Sequence, residues 1–156
     1  MFKVTFFAVG GLKERHWREA QDEYLRRLSP FAKSEVIEVA AEPFGGSVTA
    51  EQAMRAEGDR LLKRLPKDAT IIALERTGKR MSSVEYAGLL KEHGGAGMHL
   101  AFVIGGTAGL DPSLLARTRV KLSLSPMTFT HEMARVILLE QTYRAMTILA
   151  GKTYHY

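Results

Sequence analysis

Residues Leu122–Ala145 read LSLSPMTFTHEMARVILLEQTYRA, and this stretch decides the fold. A β-like alternation stops at Pro126. A short run of small and apolar residues follows, and His131 then opens a long apolar helix that runs to Ala150, with Gly151 as its stop. A chain that needed only a turn at this point would more often use Gly, Asn or Asp. A strand feeding through a shaped hinge into a helix is the building unit of α/β sheets, whose ligands gather beyond the carboxyl ends of the strands. The titratable ring at this hinge is therefore a candidate functional group.

The rest of the chain repeats the unit. Lys3–Val9 alternates like a strand, and Trp17, Ala20, Tyr24, Leu25 and Leu28 recur at helical spacing between Lys13 and Leu28. Val36–Ala40 reads as a strand. Thr49 is placed to cap a helix ending near Leu65, before Pro66. Thr70–Glu75 is a short buried strand, followed by the basic turn RTGKR. Ser82 with Glu85 forms a capping box for a helix to about His93. MHLAFVIGG is a buried strand running into glycines, and Asp111 followed by Pro112 marks another helix start. VKLSLS is the last strand. Alternation of this kind predicts an α/β domain with a mainly parallel sheet and helices on both faces. No linker, repeat or low-complexity tract interrupts it, so residues 1–156 form a single domain.

The last helix carries apolar residues on more than one stripe. Val136, Leu139, Tyr143 and Met146 make one; Ala134, Ile137, Leu138, Ala145 and Ile148, with Gln141 among them, make another. A surface helix normally buries one stripe. A homodimer covering the second is the economical expectation, and a fully buried central helix is the alternative.

Composition narrows the class. The apolar fraction of 46% and charged fraction of 25% are those of a globular protein, and the absence of cysteine excludes disulfides and thiolate metal sites. No apolar run approaches the roughly 18 residues of a membrane span, and the N-terminus reads as a first strand. A cytoplasmic location with no membrane partner is expected. The net charge is +5, and residues 111–156 hold six basic against three acidic groups. A basic C-terminal third points to a polyanion such as nucleic acid.

Three strand ends are candidates for chemistry: Leu74–Lys79, Ile104–Gly109, and Leu124–Phe129 with His131. The GGTAG segment fails as a phosphate loop, because Leu-Asp follows where a Walker motif needs Lys-Ser/Thr. His131 and Arg135, one turn apart, suit an anion or a developing oxyanion at a helix N-terminus. Arg144 lies further along. The tail KTYHY holds Tyr154 and His155, groups able to stack on and clamp an unpaired base. No acidic pair or histidine spacing suggests a metal.

The segments AVGGLKERHWREAQDEYLRRL, ALERTGKRMSS, FVIGGTAGLDPSLL, LSLSPMTFTHEMARVILLEQTYRA and the closing YH carry a resemblance nearly end to end. The chain resembles the ribosomal RNA large subunit methyltransferase H family, within the SPOUT superfamily of trefoil-knotted methyltransferases. The resemblance implies a SPOUT-type α/β trefoil knot and the cofactor S-adenosylmethionine. By position, Leu74, Gly105, Leu124, Ser125, Pro126, Met127, Thr128 and Phe129 would line the cofactor site. It implies methylation of N3 of a pseudouridine in 23S rRNA on assembled ribosomes, by a homodimer in which the partner's tail completes the site. His131 and Arg135 would be the catalytic candidates, and Arg135, Arg144, Tyr154 and His155 the RNA contacts. The chain departs from the family at Thr130, where Pro is usual, and at Glu132, where Gln or Pro is common. A transfer-RNA-directed SPOUT methyltransferase and a non-catalytic RNA-binding protein are the alternatives.

Overall fold

Alternation along the strands sorts the core into two layers of side chains. Val4, Phe6, Ala8, Ile72, Leu100 and Phe102 point to one face of the sheet, and Phe7, Val9, Ile71, Ala73, Ala101 and Val103 to the other. Both faces are apolar, as a parallel sheet covered on two sides requires. The computed structural model describes residues 1–156.

The elements follow in the order β1 (Phe2–Val9), α1 (Arg15–Leu28), β2 (Ala32–Val39), α2 (Ala50–Arg64), β3 (Thr70–Arg80), α3 (Ser83–Gly94), β4 (His99–Ile104), α4 (Pro112–Leu115), β5 (Val120–Ser123) and α5 (His131–Leu149). The five strands form one all-parallel sheet in the order β2-β1-β4-β3-β5. Residues of α1, α3 and α5 pack on the first face, and those of α2 and α4 on the second. This is the α/β arrangement expected from the alternation.

The helix starts lie where the cap residues place them. Thr49 and Ser82 each form a complete capping box, with Gln52 and Glu85 respectively. Asp111 accepts from Ser113 N–H, and Gly151 stops α5 at φ +64°. Two elements differ from expectation. The helix after Asp111 is only one turn, and the RTGKR segment is strand rather than turn. β3 continues through it because β5 pairs with β3 twice: Leu122 aligns with Leu74 and again with Lys79, and residues 75–78 bulge out between. Gly78 sits where a Cβ would lie 2.5 Å from the Lys121 carbonyl oxygen, so only glycine fits this close crossing.

α5 is more enclosed by its own chain than the two-stripe reading assumed. α1 flanks it through Tyr24 and Tyr143, whose rings lie 6.5 Å apart. α3 flanks it through Tyr86, whose hydroxyl meets Thr142 Oγ1 at 2.9 Å, and through Ser83, which donates to Gln141 Oε1 at 2.7 Å. Much of the girth expected to face a second copy is thus covered within the monomer, and Met133 is its one exposed residue.

Candidate active site

The carboxyl ends of β3, β4 and β5 open into a cleft of about 660 Å³. That size falls within the range of small-molecule sites. Three chain segments wall it: Leu74–Arg76, Ile104–Leu110, and Leu122–Ala134. They are the three strand ends picked out by sequence. Leu74, Gly105, Leu124, Ser125, Met127, Thr128 and Phe129 all line the cleft, together with His131. Pro126 does not; it sits on the exposed outer side of the hinge.

The hinge is held by short polar contacts. Ser123 Oγ donates to the Arg76 carbonyl at 2.8 Å, fastening the end of β5 to the bulge of β3. Met127 N–H donates to Ser125 Oγ at 3.0 Å. Thr130 caps α5 by accepting from Met133 N–H at 3.3 Å, the work a Ser or Thr N-cap does. The Thr130 departure therefore supplies a helix cap at the rim of the cleft.

Gly105 and Gly106 shape the β4 wall. A Cβ at Gly105 would lie 3.0 Å from Leu110 Cγ and 3.1 Å from the Gly109 carbonyl carbon. The missing side chain thus lets the 105–110 loop fold back on itself. Gly105 gives the cleft its wall by that packing, and its missing Cβ makes room for the loop.

His131 is half-buried at the rim. Its Nε2 lies 3.1 Å from Glu132 Oε1 and close to Gly10, where a Cβ would sit 4.0 Å away. The ring stands between the cleft and the loop after β1. Glu132, the second departure, also lines the cleft.

Arg135 does not project with His131. It is 1% exposed, and its guanidinium donates to Glu38 Oε2 and to the Gly10 carbonyl, both at 2.8 Å, and to Gln21 Oε1 at 3.3 Å. The expected role of Arg135 as an exposed anion or RNA contact is corrected here. Residues four apart share a helix face, but this face turns inward onto the ends of β1 and β2. The residue braces the first turn of α5 against the sheet.

Arg144, Tyr154 and His155 form a separate cluster at the far end of α5. Glu140 Oε1 accepts from Arg144 Nη2 at 2.6 Å, Arg144 Nε at 3.0 Å and the Tyr154 hydroxyl at 3.1 Å. The Tyr154 ring packs edge-on against Tyr143 at 4.7 Å, with the Arg144 guanidinium over it. Arg144 Nη1 is 3.4 Å from His155 Nδ1. The hydrogen bond to Glu140 raises the Arg144 pKa, and burial, then Glu140, pushes the Tyr154 phenol up to about 12. The tail is docked on α5.

The 19 residues of α5 span about 28 Å. The docked tail folds back along it, so that the Tyr154 hydroxyl lies at Glu140, about 9 Å of helix from Ala134 at the edge of the cleft.

Sequence reading missed Glu75, Arg76 and the loop residues Thr107–Leu110 as individual lining groups. All but Leu110 fall within the three strand-end segments, but the bulge that carries Glu75 and Arg76 leaves no local signature. No helix is long and apolar enough to cross a membrane, and no cluster of His, Cys, Asp or Glu is placed to hold a metal.

The all-parallel sheet thus carries a glycine-walled cleft at the hinge before its last helix. The family model described as "Predicted SPOUT methyltransferase" matches residues 2–155, and the chain belongs to that family. Within it, the similar curated proteins are ribosomal RNA large subunit methyltransferase H enzymes. The one from Bifidobacterium animalis subsp. lactis is 47% identical, covering 97% of this chain and 98% of that relative. Those from Symbiobacterium thermophilum and Carboxydothermus hydrogenoformans are 45% and 42% identical, each over 98% of this chain and 99% of the relative.

Proposed function

We propose that this protein transfers a methyl group from S-adenosylmethionine to N3 of a pseudouridine in 23S rRNA on assembled ribosomes, acting as a cytoplasmic homodimer. The observation that carries the reading is the cleft itself. It joins apolar walls, a glycine backbone edge and the hydroxyls of Thr107, Ser125 and Thr128, features that suit an adenosine bearing a short polar tail. The names of the relatives support ribosomal RNA as the target class.

The cofactor would supply an electrophilic methyl group. Leu74, Gly105, Leu124, Met127 and Phe129 would hold it, and the fixed hinge would orient it for in-line attack, so positioning supplies much of the rate. His131, at the rim, would orient the base or accept its N3 proton. The trefoil knot implied by the family would have its crossing where the 122–130 segment meets the β3 bulge, and the Ser123–Arg76 hydrogen bond is consistent with that.

The homodimer rests on the family resemblance, in which the partner's tail completes the site; here the tail is held in place on α5. Arg144, Tyr154 and His155 would then meet the RNA bound at that neighbouring cleft, with Tyr154 stacking on the target base.

Ribosomes from a strain lacking the enzyme, incubated with the protein and S-adenosylmethionine, should acquire one methylated pseudouridine in 23S rRNA by nucleoside mass mapping. Truncation after Lys152 should slow this by roughly tenfold to a hundredfold while leaving cofactor affinity intact. Methylation of transfer RNA instead, or no heat with the cofactor, would replace the reading with a transfer-RNA enzyme or a bare RNA binder.

A further inference from the structure

Behind the glycine wall of the cleft lies a carboxylate without a counter-charge. Glu57 is on the inner face of α2 and is 3% exposed. Its Oε1 accepts the Glu42 backbone N–H at 3.0 Å, and its Oε2 has no hydrogen-bond partner. Arg60, the cation one turn along, is engaged by the Ala40 carbonyl and the Glu42 carboxylate. The free oxygen faces Gly106. A Cβ there would lie 3.2 Å from Glu57 Oε2 and 2.9 Å from Val9 Cγ1. Gly106 itself lines the cleft, and Glu57 lies on the side of it to which a Cβ would point.

The surroundings add to the same sign. Asp111, 8% exposed, packs its Cβ against Gly58 on the same side. Glu75 and Glu132 line the cleft itself, opposed by Arg76 and His131. A protein of net charge +5 thus backs its cleft with acid. Burying an acceptor without a partner is destabilising, and an amide or apolar side chain would relieve the charge. A buried charge is screened less by solvent than a surface one, so its field extends further.

We propose that Glu57 selects the charge of the ligand, favouring a cationic occupant of the cleft over its neutral counterpart. This rests on the methyl-donor reading above. The donor is a sulfonium cation. On transfer its C–S bond breaks with the electron pair retained by sulfur, N3 bonds to the methyl carbon, and the N3 proton passes to His131 or to water. The product in the cleft is a neutral thioether. Glu57 touches neither ligand; its charge holds the donor and favours exchange of the product.

Calorimetry with three ligands tests this: S-adenosylmethionine, S-adenosylhomocysteine, and sinefungin, which carries an amine in place of the sulfonium. In Glu57→Gln the two cations should weaken by roughly three- to tenfold, while the neutral product stays within about twofold. Equal weakening of all three would mean that Glu57 only braces the loop, and unchanged affinities would mean that its field does not reach the ligand; either overturns the proposal. Glu57→Asp should restore the preference. If Glu57→Gln does not fold by circular dichroism, Glu57→Met, uncharged and of similar volume, carries the same test, and an unchanged ratio of sulfonium to thioether affinity there overturns the proposal. Wild-type protein that binds none of the three would sink the methyl-donor reading first, and is recognisable because the unmutated protein fails.

Discussion

Replacing the two partners of the Arg135–Glu38 ion pair one at a time should give unequal losses of stability. The pair is 2.8 Å long, but Arg135 is 1% exposed while the Glu38 side chain is 43% exposed. Glu38→Ala strands a buried guanidinium that keeps only the Gly10 carbonyl and Gln21 as acceptors. Breaking a buried pair in this direction costs 3–5 kcal/mol in general, and the remaining acceptors reduce it to about 2–4 kcal/mol. Arg135→Met keeps the packing of the stem and frees Glu38 into water. It orphans the Gly10 carbonyl, a loss of about 1–2 kcal/mol. Urea unfolding with matched m-values should rank Glu38→Ala as the weaker protein. Its melting temperature should fall by roughly 4–16 °C at about 2–4 °C per kcal/mol for a chain of this size. The reasoning is refuted if Arg135→Met is the more destabilised of the two, or if Glu38→Ala loses under about 0.5 kcal/mol. Activity adds a second check. Folded Arg135→Met should retain cofactor affinity and most of its turnover on ribosomes. A turnover loss beyond about a hundredfold with fold and cofactor binding intact would restore Arg135 as a catalytic group.

Two further outcomes follow from the geometry. Gly105→Val drives a branched side chain into Leu110 and the Gly109 backbone, both within 3.1 Å of the new Cβ; cofactor binding should be lost and stability should fall by about 1–3 kcal/mol, measured by calorimetry and denaturant unfolding. The Tyr154 phenol, pushed from 10.0 to about 12 by burial and then by Glu140, is favoured in its neutral form by docking; the contribution to tail docking should be complete below pH 10 and vanish as pH rises through about 12, followed as phenolate absorbance in wild type against Tyr154→Phe.

Sequence alone determined the order of elements, because each signal is local. Ser82 with Glu85, Thr49 with Gln52, and Gly151 act within one helical turn. The alternation in β1 and β4 likewise reports two covered faces without knowledge of what covers them. The three cleft segments were legible because strand ends in an α/β sheet converge whatever the details of the loops. What only the tertiary structure decided concerns direction and partnership. Arg135 shares a helix face with His131, yet the packing of α5 on the sheet buries that face. A guanidinium that looked available for an anion is held by Glu38 and Gly10, residues far away in the chain. The RTGKR segment has the composition of a turn, but a second pairing with Leu122 and Ser123 makes it strand. Tyr154 lies in a tail that composition leaves free, and Glu140 and Tyr143 dock it. Glu57 carries no mark in sequence. Its buried, unpartnered oxygen exists only because the middle of α2 meets the loop at Gly106, a contact between segments some fifty residues apart.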